Sequence, residues 1–251
     1  MTARGVALVT GAGSGVGRAS AVALARDGWR LVLAGRRRER LEETAAAIRT
    51  AGGEALVVPT DVGDAEAVRA LFATVEARCG RLDFLFNNAG IFTRPAPLDE
   101  IALDDWHRAV AVNLHGMFYC ARAAFALMRR QRPRGGRILN NGSVSAHAPR
   151  PHAAPYTVTK HAVTGLTRQI ALDGRPFDIA CGQIDIGNAA TEMTEAMARG
   201  VLQADGSVRP EPRMSVESVA RAVVFAASLP LSETILFMTV MATGMPFVGR
   251  G

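Results

Sequence analysis

The chain holds a single lysine, Lys160, four residues after Tyr156, itself one of only two tyrosines. Every other cationic side chain is an arginine, so position 160 stands out as one that calls for an ammonium and not for positive charge in general. Arginine is a planar fork that keeps its proton, whereas lysine is a compact charge with three rotatable donors and a proton it can lose and regain. On a helix, residues four apart share a face. An ammonium one turn from a phenol is expected to lower the phenol pKa from its usual value of about 10, making Tyr156 a usable proton donor near neutrality. A coding bias from Lys to Arg with one survivor would leave the same composition, so the pair has to be weighed with its surroundings.

A second chemical signal lies near the start. Thr10-Gly11-Ala12-Gly13-Ser14-Gly15-Val16-Gly17 follows the apolar run Val6 to Thr10 and opens into an Ala-rich stretch. Glycines at such a junction let the backbone turn tightly and approach a pyrophosphate, which the free N–H groups of the following helix then receive. At the end of the next apolar run, NAD binders usually carry an acidic residue for the ribose 2′-hydroxyl. This chain has Gly35 followed by Arg36 and Arg37, which favours the 2′-phosphate of NADP over NAD.

These side chains need a scaffold that brings them together. Short β-branched runs alternate with longer amphipathic Ala-rich stretches, the pattern of repeated βαβ units in one α/β domain with a parallel sheet. Strands are expected at Val6 to Thr10, Leu31 to Ala34, Val57 to Pro59, Phe84 to Phe86, Arg137 to Leu139, Ile179 to Ile184 and Ile235 to Val240. Helices are expected over Gly15 to Asp27, Glu39 to Ala51, Ala65 to Arg78, Leu103 to Arg130, the segment carrying Tyr156 and Lys160, and from about Met214 to Leu229. About seven strands in a doubly wound, Rossmann-like sheet place ligands off the strands' carboxyl ends. The stretch 187–214, with Gly200, Gly206, Pro210 and Pro212, reads as an irregular lid. No repeat or linker divides the 251 residues.

With those positions in hand, the chain resembles the short-chain dehydrogenase/reductase family over nearly its whole length. The glycine run fits the family's Thr-Gly-x-x-x-Gly-x-Gly pattern, Asn87-Asn88-Ala89-Gly90 its motif after the fourth strand, and Asp61-Val62 its adenine contact. Asn113 falls where the family keeps a catalytic Asn, Ser143 precedes Tyr156 by thirteen residues, and Tyr156-x-x-x-Lys160 is the signature itself. The resemblance implies that Tyr156 exchanges a proton with a carbonyl or alcohol while hydride passes to or from nicotinamide. It further implies that Ser143 stabilises the oxygen, Lys160 holds the nicotinamide ribose and lowers the Tyr156 pKa, and Asn113 positions a water. Cofactor contacts would come from Thr10, Gly11, Ser14, Gly15, Val16, Gly17, Arg36, Arg37, Asp61, Val62, Asn88, Ala89, Gly90, Tyr156, Lys160, Gly187 and Thr191. A homo-oligomer, tetramer or dimer, packed through the long helix and the Tyr-bearing helix is implied as well.

Three features depart from the pattern: Ile186-Gly187 in place of Pro-Gly, the polar Asn140-Asn141-Gly142 before Ser143, and an apolar tail from Met241 to Gly251 suited to a subunit contact. A non-catalytic NAD(P)-sensing protein on the same fold is the competing function.

Composition narrows the rest. Hydrophobic residues make up 49%, with few aromatics, as in a globular protein with an aliphatic core. No apolar run is read as reaching the roughly 18 residues of a membrane span, and the first residues lead into a strand instead of a signal segment, so a cytoplasmic protein is expected. Cys79, Cys120 and Cys181 are odd in number and far apart, which fits reduced core thiols. The net charge of +6 is spread over the chain without stacking aromatics, which argues against nucleic acid. No cluster has metal-ligand spacing, so no metal is expected. His147 and His152, on a proline-rich loop, are read as exposed.

Overall fold

The computed structural model describes residues 4–248. Among them run nine strands: β1 (Val6–Thr10), β2 (Arg30–Gly35), β3 (Ala55–Pro59), β4 (Phe84–Asn87), β5 (Gly136–Asn141), β6 (Ile179–Ile186), β7 (Val201–Leu202), β8 (Val208–Arg209) and β9 (Phe237–Val240). Seven of these form one sheet in the order β3-β2-β1-β4-β5-β6-β9, every neighbouring pair parallel. Because the order reverses between β1 and β4, the helices that follow these two strands leave on opposite faces. A crevice opens there at the carboxyl ends.

The helices are α1 (Gly15–Arg26), α2 (Arg38–Thr50), α3 (Ala65–Cys79), α4 (Leu103–Val110), α5 (Gly116–Arg130), α6 (Ala154–Gly174), α7 (Glu195–Arg199) and α8 (Val216–Ser228). Strand periodicity divides the core in two. Ala7 and Val9 face a cluster with Leu24 of α1, Leu41 of α2 and Val223 of α8, while Val6 and Leu8 face one with Leu71 of α3, Ala124 of α5 and Ile170 of α6. Each fully buried leucine in these layers contributes about 1.5–3 kcal/mol. Cys120 and Cys181 sit inside the second cluster, where burial pushes both thiols up to about 12 and keeps them unreactive.

The structure corrects three expectations. The long helix is not uniform: five residues, Ala111–His115, form a π-helical turn between α4 and α5. The combined stretch Leu103–Arg130 is long and apolar enough to cross a bilayer by length and composition, contrary to the expected absence of such a run. Its inner face is nonetheless spent on the sheet, with Cys120, Ala121, Ala124, Leu127 and Met128 in the core. The lid is also more regular than expected. It holds α7 and an antiparallel β7–β8 hairpin turning through Asp205-Gly206.

Candidate active site

The Gly-rich turn leaves β1 at its carboxyl end. Gly11 and Gly15 have φ of +67° and +50°, values that favour glycine. A Cβ at Gly17 would stand 2.2 Å from the Gly11 carbonyl oxygen, so helix α1 packs against the turn with no room for a side chain. Thr10 lies underneath. Its buried hydroxyl accepts the backbone N–H groups of Asn88 and Ala89 at 2.8 and 2.9 Å, and the Asn88 side chain donates to the Thr10 carbonyl at 2.8 Å. Thr10 therefore ties β1 to the segment after β4 and does not face the crevice.

A cavity of about 350 Å³ fills that crevice. Every residue expected to contact a cofactor lines it except Thr10 and Gly187. Gly187 instead packs under the C-terminal segment, where a Cβ would stand 2.5 Å from the Met245 sulfur. At one end of the cavity Arg36 and Arg37 are exposed and have no carboxylate partner among the described residues. At the other end lie Tyr156 and Lys160. Over the middle, the Thr191 methyl stands 3.0 Å from where a Gly15 Cβ would be. A glycine floor without side chains, a helix N-terminus and a terminal pair of free guanidinium groups fit a dinucleotide.

Helix α6 begins at Ala154 with Pro155 in its first turn, where a missing N–H costs nothing. Tyr156 and Lys160 consequently sit one turn apart. The Lys160 ammonium donates to the Asn141 carbonyl at 2.7 Å and lies 5.5 Å from the centre of the Tyr156 ring. Burial lowers its pKa to about 8, against the opposing pull of Asp185. Tyr156 also packs on Phe92, with ring centres 4.9 Å apart.

The phenol pKa is raised, not lowered as expected from Lys160 alone. Burial is the largest cause, and Asp185 adds to it. The Ser143 hydrogen bond and the Arg150 charge oppose it. The loss of hydration on burial thus outweighs the groups that favour the phenolate.

Asn113 sits in the π-helical turn, fully buried, and spends its amide on Ile91 and, at 3.3 Å, on the Thr159 hydroxyl of α6. Its Oδ1 accepts the Ile91 N–H at 2.8 Å and its Nδ2 donates to the Ile91 carbonyl at 2.9 Å. The side chain is thus committed to the backbone after β4 and to α6, which leaves the main chain of this turn to hold a water. A family model described as short chain dehydrogenase matches residues 5–201, the span that contains all four expected catalytic residues.

The chain belongs to the short-chain dehydrogenase family. Membership makes it an oxidoreductase that works with a nicotinamide cofactor. It is 40% identical over 190 residues to a 3beta-hydroxysteroid dehydrogenase from Mediterraneibacter gnavus, covering 76% of this chain and 68% of the relative. Among solved structures, it resembles a 3-ketoacyl-(acyl-carrier-protein) reductase from Brucella melitensis complexed with NADH. The TM-score is 0.85 at 26% identity, covering 96% of this chain and 98% of the other. An alcohol dehydrogenase from Thermococcus sibiricus complexed with 5-hydroxy-NADP gives 0.82 at 27% identity, covering 95% and 97%.

In this short-chain dehydrogenase the site is braced by a polar network that runs beyond the motif residues. Asn140 of β5 accepts from the Asn87 side chain at 3.2 Å and donates to Thr167 of α6 at 3.0 Å. Thr167 reaches Gln183 at 3.0 Å, and Gln183 donates to Asp185 at 2.7 Å. The polar strand ends are therefore one buried network across β4, β5, β6 and α6. A second brace joins the loop after Ser143 to the lid. The Arg150 guanidinium grips Glu211 with both nitrogens at 2.7 and 2.6 Å and also donates to Asn188 at 2.9 Å. Gln183 and Asp185 were detectable as polar residues in the otherwise apolar run Ile179 to Ile186, whereas Arg150 and Glu211, sixty-one positions apart, had no local signal.

The C-terminal segment differs from its expected role. Met245 is buried against Val144 and Ala242 within the chain, so it is not free for a subunit contact, while Val248 stays exposed. Residues 249–251 of that tail lie outside the described residues.

Proposed function

We propose that the protein is an NADP-dependent carbonyl reductase or secondary-alcohol dehydrogenase acting on a small molecule. The observation that carries this reading is that Tyr156 and Lys160 line the same cavity as the Gly-rich turn and the unpaired Arg36 and Arg37. Bound there, the nicotinamide supplies or takes the hydride. The turn and the start of α1 receive the pyrophosphate, Arg36 and Arg37 clamp the 2′-phosphate, and Asp61 with Val62 borders the adenine. Tyr156 gives its proton to the substrate oxygen, and Ser143 holds that oxygen as its charge develops. Lys160, held by the Asn141 carbonyl, presents its remaining protons to the ribose and returns the proton lost by Tyr156. The lid over 187–214 closes the substrate side. The exposed Phe118 of α5 and Val158 and Leu172 of α6 support a homo-oligomer built through those helices.

The test is initial-rate turnover of a carbonyl and alcohol panel with NADP(H) and NAD(H) in parallel, with Tyr156→Phe as control. Activity that prefers NADP(H) and vanishes in the variant is expected. Cofactor binding with no turnover across the panel would instead favour the sensing protein.

A further inference from the structure

The end of β6 carries a carboxylate to which the reading above gives no part. Asp185 is fully buried and accepts the Ser143 N–H at 2.9 Å and Gln183 Nε2 at 2.7 Å on Oδ1, while His147 Nε2 lies 2.8 Å from Oδ2 with a role set by its tautomer. Two N–H donors on one oxygen and an imidazole on the other are partners that suit a carboxylate. The backbone makes room for it, since a Cβ at Gly142 would stand 2.0 Å from Asp185 Oδ1. Asp185 thus grips by its main chain the serine whose side chain favours the Tyr156 phenolate. Among the described residues no arginine or lysine pairs with Asp185. His147, with its side chain 44% exposed, is the one partner able to carry a positive charge.

We propose that Asp185 is a positioning residue that, by holding the Ser143 main chain and setting a buried carboxylate behind that serine at the end of β6, sets the site to donate a proton to a carbonyl. This rests on the carbonyl-reductase reading and gives it a direction. A charge in a dry site acts strongly on its neighbours, and a second negative charge beside the first is disfavoured. The groups that bear on the phenol come from three sides. Ser143 and Arg150 on the preceding loop favour the phenolate, Asp185 on β6 opposes it, and Lys160 lies one turn along α6. Glu211 on the lid engages Arg150 and so offsets part of the help that arginine gives.

Asp185→Asn removes the charge and keeps the shape. The asparagine Oδ1 still accepts from Ser143 and Gln183, while its Nδ2 meets a His147 Nε2 that becomes the acceptor in the other tautomer. With only two tyrosines in the chain, near-ultraviolet phenolate absorbance of the full-length protein, corrected with Tyr156→Phe, reports Tyr156 alone. We expect its midpoint to fall by about one pH unit, a tenfold gain in phenolate at a given alkaline pH. The pH limb of alcohol oxidation should move down with it. Asp185→Ser, a second charge-free variant, should show the same midpoint shift and an added loss of kcat, because Ser143 is no longer anchored. A midpoint that stays or rises in the charge-free variants overturns the proposal; a rise would mean that the charge acts through Lys160. The titration needs no substrate, so failure of the panel refutes the reductase reading while the midpoint decides this inference separately.

Discussion

Neutralising Glu211 should unlatch the lid. The carboxylate is 1% exposed and the Arg150 side chain 10%, and the pair is bidentate. Burial would push the Glu211 carboxyl up, yet hydrogen bonds from Arg150, Gln203 and Asn188 together with the arginine charge outweigh it and hold it at about 2, against an ordinary value of 4.5. That difference corresponds to about 3 kcal/mol of stabilisation. Because the folded carboxyl titrates below its unfolded value, the stabilisation is complete above about pH 4.5 and drains away as the pH falls towards 2. Glu211→Gln keeps the volume, loses the charge and leaves Arg150 buried without its counter-ion, a change that costs about 3–5 kcal/mol when a buried pair is broken. Urea unfolding at pH 7 and at pH 3 should therefore show a large gap between the wild-type protein and the variant at the higher pH and a much smaller one at the lower. Limited proteolysis at pH 7 should cut the variant first between α7 and β8. A gap of equal size at both pH values would refute the reasoning, since it would mean that the charge of Glu211 holds nothing.

Exchanging Arg36 and Arg37 for serine removes two charge-assisted donors, each worth about 1.5–3 kcal/mol. Calorimetric titration should show NADP(H) binding weakened by tenfold or more with NAD(H) nearly unmoved. Gly17→Ala drives a methyl group into the Gly11 carbonyl, 2.2 Å away. Dinucleotide binding should be lost and the melting temperature lowered by an amount equivalent to about 1–3 kcal/mol, as for other overpacked sites. Thr10→Val leaves the Asn88 and Ala89 N–H groups without their acceptor. Denaturant unfolding should register a loss of about 1–3 kcal/mol for each group orphaned.

The sheet was legible because its central strands are buried on both faces and read as short apolar runs between amphipathic helices, a signal carried by each segment alone. The candidate cofactor cavity was legible for the same reason: a glycine turn is a local device. What the sequence could not convey depends on segments far apart. Thr10 fits the glycine motif, yet its hydroxyl serves two N–H groups 78 and 79 positions away. The raised pKa of Tyr156 follows from burial by the assembled loop, whereas the spacing to Lys160 speaks only of the opposing charge. The β7–β8 hairpin had a local sign in Asp205-Gly206 between Val201-Leu202 and Val208-Arg209, obscured by the prolines and glycines around it.

The solitary lysine has a practical corollary. Lys160 is 2% exposed, opens only onto the cofactor cavity and holds its proton with a pKa near 8. The outer surface between residues 4 and 248 consequently offers no primary amine to acylating or aldehyde reagents. An amine-directed label of dinucleotide size would reach Lys160 only through the cavity, and an occupied cavity would shield it, so modification of that one side chain, read by peptide mapping apart from the α-amine, becomes a count of vacant sites.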